Sequence, residues 1–134
     1  MGMFHYYDLN DTEAFVFDDY LISQMHEGEC LDHDHTVILR EIIKIHFENK
    51  SLVYISNRVK SYTVDPLVYK EVEKMKNLLA IIIVTNNQTF FKEAKEELKY
   101  FNKPSLVCNN LTDAIIWASK LVKDSKKEKA NGNV

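Results

Sequence analysis

The stretch LLAIIIVT, residues 78–85, is apolar at every position up to Thr85. A strand with one face in water alternates apolar and polar residues, whereas a strand covered on both faces is apolar throughout. The stretch therefore predicts a strand inside a sheet, buried on both faces. It is far too short to cross a bilayer, which needs about 20 apolar residues, so we expect no membrane span.

Helices and strands alternate on both sides of this stretch. SLVYIS (residues 51–56) predicts a strand, and PLVYKEVEKM (residues 66–75) predicts a helix, with Asp65 as its N-cap and Pro66 at its first position. The elements expected after it are the helix TFFKEAKEELKYF (89–101), the strand SLVCN (105–109) and the helix LTDAIIWASKLVK (111–123). Strand–helix–strand repeats of this length favour parallel pairing.

The first residues predict antiparallel strands. MFHYYDL (3–9) and EAFVFDD (13–19) are rich in aromatic and β-branched residues, and the turn sequence NDT separates them. YLISQMHEG (20–28) continues the pattern. Three short strands in succession indicate an antiparallel meander at the edge of the sheet.

From Asp34 onward the apolar residues change to helical spacing, and the helix is expected to end near residues 48–51. We expect Val37, Ile38, Ile42 and Ile45 on its buried face, with Leu39 and His46 as further candidates. Either Asp32 or Asp34 can cap its N-terminus, where a carboxylate is favourable.

These elements predict an α/β fold in the order β-β-β-α-β-α-β-α-β-α. The sheet is mixed, with antiparallel N-terminal strands and a parallel remainder, and about four helices pack on it. A chain of 134 residues is the size of one domain, which we place at residues 3–123. The polar sequence DSKKEKANGNV, residues 124–134, is expected to be a disordered tail.

Composition argues against several classes of partner. The formal net charge is -3, so no basic surplus is available to neutralise nucleic acid. Three glycines are too few for a glycine-rich phosphate loop.

Cys30 and Cys108 lie far apart in no metal-binding spacing, and the N-terminus lacks a signal peptide. We therefore expect reduced core thiols in a cytoplasmic protein.

Three stretches resemble a known family: YLISQMHEGE (20–29), YISNRVKSYTVDP (54–66) and AIIWA (114–118). They are similar to the STAS-like proteins of Bacteroidetes-type bacteria, which are single-domain relatives of the anti-sigma-factor antagonists and are often grouped with lipid-binding CRAL-TRIO-like sequences. The resemblance covers residues 15–121. It implies a STAS-like mixed sheet with helices, and it implies no particular activity, since most members have none assigned.

The resemblance also suggests a phosphorylation site. The anti-sigma-factor antagonists carry an Asp-Ser-Ser-Gly-type segment at a helix start, where a kinase partner phosphorylates a serine. The corresponding loop in this chain holds Ser61 and Thr63, which are the phosphoacceptor candidates by position. The chain lacks the Ser-Ser-Gly sequence and has Pro66 at this place.

The polar residues after the strand 51–56 form the candidate binding site. Ligands of parallel α/β sheets bind where a strand ends and a helix begins, and Arg58 can bind a carboxylate or phosphate with two parallel bonds. The candidate binding residues are Ser56, Asn57, Arg58, Ser61, Tyr62, Thr63 and Asp65. A structural alternative is that Asn57 ends the strand, Arg58 pairs with an acidic residue and Asp65 only caps the helix.

Metal binding and catalysis are not predicted. The sequence CLDHDH, residues 30–35, contains competent ligands, but alternate residues entering a helix point in different directions and no metal-binding frame supports them. No nucleophile with an oriented base is visible, so we expect neither cofactor nor metal, and a protein that is not an enzyme.

Two functions remain open. The first is a binding or regulatory module that docks a protein partner or a small anionic ligand at residues 56–65. The alternative is a carrier of a lipid-like molecule, which requires an apolar pocket of several hundred Å³. In either case the exposed edge formed by FHYYDL, residues 4–9, is a candidate for pairing across a homodimer.

Overall fold

The computed structural model describes residues 4–60 and 62–132. Within them the chain forms eight strands, four α-helices and a short 3₁₀ helix, Leu98–Tyr100. The strands are β1 (His5–Asp8), β2 (Thr12–Val16), β3 (Tyr20–Met25), β4 (Cys30–Leu31), β5 (Leu52–Asn57), β6 (Thr63–Val64), β7 (Leu78–Val84) and β8 (Ser105–Cys108). The helices are α1 (His33–His46), α2 (Leu67–Val72), α3 (Gln88–Glu97) and α4 (Leu111–Gly132).

Six strands form the main sheet in the order β1-β2-β3-β5-β7-β8. β1, β2 and β3 pair antiparallel, whereas β3, β5, β7 and β8 pair parallel. The predicted mixed sheet with four helices is therefore confirmed. Because β3, β5 and β7 are neighbours and run parallel, their carboxyl ends lie side by side along one edge of the sheet.

A second, two-stranded sheet was not predicted. β4 and β6 pair parallel, with Cys30 opposite Thr63 and Leu31 opposite Val64. Two-residue strands leave no periodicity for a sequence pattern to detect. The pairing joins the residues that precede α1 to the residues that precede α2, and so it holds the 56–65 segment against the β3–α1 connection.

The core has two layers, one on each face of the main sheet. α1, α2 and α3 pack on one face, around Leu39, Val68 and Ala94. α4 covers the other face through Ala114, Ala118 and Val122. β7 contributes apolar side chains to both layers, as its uninterrupted apolar run predicted.

The buried face of α1 differs in part from the prediction. Its buried residues are Thr36, Leu39, Ile42 and Ile43, and Asp32 is the N-cap. Of the predicted positions, Ile42 and Leu39 are buried, whereas Val37, Ile38 and Ile45 are 41%, 44% and 67% exposed. Both sets have helical spacing. Packing against α2 decides which set is buried, because the hydroxyl of Thr36 donates to the carboxylate of Glu71 in α2.

α4 continues through most of the segment predicted to be a disordered tail. It ends at Gly132, so residues 124–132 are helical, and residues 133–134 lie outside the described part. Polar composition suggested disorder, but lysine, glutamate and alanine also have high helix propensity. Lys126 further pairs with Asp19 at 3.8 Å, which connects this extension of α4 to the turn before β3.

Cys30 and Cys108 are both free thiols. Cys30 is exposed and Cys108 is half-buried, so the prediction that both are core residues was wrong. Cys30 lies in β4, outside the main sheet, where Cys30 is exposed while the adjacent Leu31 is part of the core. None of the helices in the described residues has the length and apolar character needed to cross a bilayer.

Candidate functional site

The candidate segment, residues 56–65, leaves the main sheet at the end of β5. The side-chain amide of Asn57 donates to the side-chain oxygen of Gln24 in β3 at 3.2 Å, so Asn57 ends its strand while tied to the neighbouring one. The backbone amide of Arg58 donates to the carbonyl of Val84 in β7 at 2.8 Å. The start of the segment is therefore fixed by both strands that flank β5.

Arg58 is buried, which corrects the prediction that it offers free donors to a ligand. Only 3% of the residue is exposed, and its Nη1 and Nη2 donate to the two oxygens of Glu97 at 3.0 and 2.7 Å. Its guanidinium lies 4.7 Å from the ring centre of Tyr62. A buried guanidinium needs a charged partner, and the alternative that Arg58 pairs with an acidic residue is the one observed.

Glu97 is the centre of this buried group. Besides Arg58, it accepts a hydrogen bond of 2.8 Å from the hydroxyl of Tyr69 in α2. Burial and the charge of Glu97 raise the pKa of Tyr69 well above its usual value. Burial lowers the pKa of Arg58, but the hydrogen bonds and charge of Glu97 outweigh this and raise it. Arg58 thus stays charged and Tyr69 neutral, and together they join β5, α2 and α3.

A hydrogen bond between Ser56 and Tyr62 holds the middle of the segment against the end of β5. Their hydroxyls lie 2.6 Å apart, and the residues are only 7% and 8% exposed. Both were predicted to contact a ligand, and burial contradicts that prediction. A buried hydroxyl needs a hydrogen-bond partner, and each of these two supplies the other's.

The backbone amides after residue 62 are also satisfied within the chain. Thr63 donates to the carbonyl of Glu29 and Asp65 donates to the carbonyl of Leu31, both at 3.0 Å. The carboxylate of Asp65 accepts the amide of Leu67 at 3.1 Å, but α2 begins at Leu67 with Pro66 at the N-cap position, one residue later than predicted. With these amides and Arg58 engaged, the groups expected to attract a small anion are not free.

The exposed residues of the segment and of the adjoining helix start include aliphatic, charged and hydroxyl side chains. Val59 is 56% exposed, and Leu67, which directly follows Pro66, is 62% exposed. Lys60, Thr63 and Asp65 are exposed as well. Ser61, the other phosphoacceptor candidate, lies outside the described residues.

The apolar space inside the protein does not fit the carrier hypothesis. A cavity between α1, α2 and the sheet has a volume of about 40 Å³ and is lined by residues such as Leu39, Tyr54 and Val68. That volume holds about one water molecule. A larger depression of about 480 Å³ beside α1 is open to solvent and lined partly by charged residues, among them Arg40, Lys44 and Glu48.

The sequence CLDHDH does not converge on one point. The Nδ1 atom of His33 lies 2.9 Å from Glu71, whereas the ring of His35 contacts Asp32 and Asp11. Burial lowers the pKa of His35, but the hydrogen bonds and charges of these two carboxylates outweigh it and raise the pKa. His35 instead lies together with Asp11 and Glu29, two residues that no local pattern connected to it.

Comparisons with known proteins identify the fold. No protein-family model and no curated protein matches the chain. A crystal structure of an uncharacterised protein of the DUF3478 family from Shewanella loihica PV-4, described as having a SpoIIAA-like fold, superposes with a TM-score of 0.51. The match covers 87% of this chain and 93% of that one, at 11% sequence identity. The chain is thus similar in fold to a SpoIIAA-like protein, as the STAS-like resemblance implied.

Proposed function

We propose that this chain is a non-enzymatic, cytoplasmic regulatory module of STAS-like fold, which docks a protein partner at the exposed face of the 56–65 segment and the adjoining Leu67. The observation that carries the proposal is a difference in burial between the polar and the aliphatic residues of this surface. Its polar anchors Ser56, Arg58 and Tyr62 are buried, while Val59 and Leu67 expose more than half of their surface.

The buried anchors favour a rigid docking surface. Arg58 and Glu97 hold the start of the segment, and the Ser56–Tyr62 hydrogen bond holds the middle against the end of β5. A surface that is already ordered loses little conformational entropy when a partner binds. The internal bonds of the segment therefore support a role in recognition even though they remove these side chains from direct contact.

The chemistry of the exposed face supports a protein as the partner. Val59 and Leu67 are aliphatic, and Lys60 and Asp65 are charged groups of opposite sign in the same segment. An apolar centre with a polar rim is the usual composition of a protein–protein interface. A small anion has no comparable support, because Arg58 is already neutralised by Glu97.

Site-specific photo-crosslinking in the native host tests this proposal. A photo-reactive amino acid is placed at Leu67 and, in a second variant, at Val59. Ile116 on α4 is the matched control, since it is an aliphatic residue with the same 62% exposure as Leu67 and lies on the opposite side of the sheet. We expect the same protein to be captured from positions 59 and 67 and not from position 116.

Binding measurements with the captured protein complete the test. Leu67→Glu is expected to weaken the purified complex by about tenfold or more, as loss of an interface anchor does, whereas Ile116→Glu leaves it unchanged. Absence of any captured protein, or capture of the same proteins at all three positions, contradicts the proposal.

The edge of the main sheet supports pairing of two copies of the chain. β1 is an edge strand, and Tyr6 within it and Phe4 directly before it are 49% and 54% exposed. We expect light scattering to give a dimer for the native chain and a monomer for Tyr6→Lys. Ile38→Lys, at a residue of similar exposure on α1, is the control that keeps the dimer. A native chain that stays monomeric at high concentration excludes this pairing.

A further inference from the structure

Three connections of the fold meet around His35. Asp11 lies in the turn between β1 and β2, Glu29 lies directly before β4, and His35 is in the first turn of α1. One ligand atom from each residue lies within 4.8 Å of the others, and all three residues are half-buried. This cluster is separate from the Arg58–Glu97 group, and the proposed docking function does not use it.

The imidazole of His35 has a carboxylate at each of its two nitrogens. Nδ1 is 2.9 Å from the Oδ1 of Asp32, and Nε2 contacts the Oδ2 of Asp11. An ionised carboxylate only accepts hydrogen bonds, and a neutral imidazole has a single N–H to donate. An ionised Asp11 accepts from Nε2 only when Nε2 also carries a proton and the ring is an imidazolium. With the proton on Nδ1 alone, the lone pair of Nε2 faces Asp11, and a metal ion bound by both atoms removes this repulsion.

Glu29 adds a further negative charge at the same place. Its carboxylate makes no hydrogen bond or ion pair with any residue in the described part of the chain, although it is half-buried. A protonated His35 balances one of the three carboxylates at most. A divalent cation shared by Nε2 of His35, Asp11 and Glu29 balances two charges and also satisfies the lone pair of Nε2.

We propose that Asp11, Glu29 and His35 bind a divalent transition-metal ion of the Zn²⁺ type. Imidazole nitrogen with carboxylate oxygens is a donor set that suits zinc and its neighbours better than Mg²⁺ or Ca²⁺, which prefer oxygen ligands alone. Zinc bonds of about 2 Å place the ligands of one ion about 3–4 Å apart. The ligand atoms here lie within 4.8 Å of one another and Nε2 of His35 contacts Asp11 directly, so the two carboxylates must reorient slightly to admit the ion. Water fills the remaining positions.

Asp32 is the positioning residue of this site. It is the N-cap of α1, where it accepts the amides of Asp34 and His35 as well as Nδ1 of the His35 ring. A carboxylate behind a histidine ligand fixes the tautomer and directs Nε2 toward the metal. Since Thr63 donates its amide to the carbonyl of Glu29, the site also adjoins the 56–65 segment through β4 and β6.

Titration of the full chain with Zn²⁺ tests the proposal. The chain is stripped with a chelator and titrated calorimetrically with zinc chloride, and Co²⁺ is used in parallel as an absorbance probe of the ligand set. We expect a single ion per chain. His35→Gln and Asp11→Asn should lose this binding, and Asp32→Asn should weaken it by about 10- to 100-fold, as removal of a positioning carboxylate does. His33→Gln is the matched control, because His33 lies in the same helical turn but contacts Glu71, and it should bind as the native chain does.

Nuclear magnetic resonance of the native chain keeps the proposal falsifiable if a variant does not fold. Addition of Zn²⁺ should shift the ring nitrogen resonances of His35 and the amides around residues 11, 29 and 35. A His35 ring protonated on both nitrogens that does not respond to Zn²⁺ means that a proton alone bridges His35 and Asp11, and overturns the proposal. Shifts confined to other parts of the chain, or binding that is lost in His33→Gln and kept in His35→Gln, overturn it too.

Discussion

Arg58 and Glu97 form two parallel hydrogen bonds across a separation of 39 residues, with one side chain 2% exposed and the other 16%. The pair joins the end of β5 to the end of α3 at the edge of the sheet where the proposed docking surface lies. Removal of one partner leaves the other charge buried without compensation, which typically costs about 3–5 kcal/mol.

We therefore expect Arg58→Ala and Glu97→Ala each to lower the free energy of unfolding by about 3 kcal/mol, measured by urea denaturation. The double variant should lose clearly less than the sum, because the two changes remove one shared interaction. The exposed pair of Lys99 and Glu96, held at 2.9 Å, is the control, and alanine at both positions should barely move the midpoint. Additive losses for Arg58 and Glu97 would contradict the role assigned to this pair.

Tyr62 holds the 56–65 segment by two different contacts. Tyr62→Phe removes the hydroxyl bonded to Ser56 and leaves a buried group unsatisfied, for an expected loss of about 1–2 kcal/mol. Tyr62→Leu also removes the ring that lies over Arg58, so its loss should be larger. Hydrogen exchange of the amides of residues 57–65 should speed up in both variants. Unchanged exchange would mean that the segment is held by its backbone pairing alone.

Protonation of His46 is expected to destabilise the fold. Burial, together with the charges of His5 and Lys50, lowers the pKa of His46, and its Nε2 lies 2.6 Å from the hydroxyl of Tyr7. Since the folded-state pKa is below the unfolded value of about 6.5, its contribution to stability is present above about pH 6.5 and is lost as the pH falls toward the folded-state pKa.

The measurement is the free energy of unfolding between about pH 7.5 and 5, in chelator, for the native chain and His46→Gln. Stability should fall more steeply with acid in the native chain. His35, whose pKa is raised, contributes with the opposite sign in both proteins, so the difference between them isolates His46. Identical curves for the two proteins would count against this prediction.

Thr63 is the phosphoacceptor candidate whose surroundings are described. It is exposed in β6, and a phosphate there adds about 1.5 to 2 negative charges beside Asp65, which should repel an acidic partner. Phosphoproteomics of native cells should find Thr63 or Ser61 modified. Thr89, exposed at the start of α3, is the internal comparison and should be unmodified. Detection of the Thr89 peptide but no modification at either candidate would dismiss the switch.

The order of elements and the mixed sheet could be predicted because they depend on local periodicity. The apolar run of β7 specified a doubly covered strand, and Asp32 caps α1 as predicted, whereas α2 begins one residue later than expected, with Pro66 rather than Asp65 at the N-cap position. The buried face of α1 could be predicted only in part. Ile42 and Leu39 are buried as expected, whereas Val37 and Ile38, which also have helical spacing, are exposed because contact with α2 decides which face turns inward. The short strands β4 and β6 were missed for a similar reason, since their pairing is specified only by the chain segments around them.

The sequence by itself determined the six strands of the main sheet and the order of the four helices, since spacing, capping and propensity act over a few neighbours in the chain. Only the tertiary structure decided what the polar side chains do. It buried Arg58 against Glu97, and it brought Asp11 and Glu29 to His35, because those partners lie 39, 24 and 6 residues from the group they meet and no short-range pattern encodes such contacts. The partner of a charged side chain depends on how the elements pack.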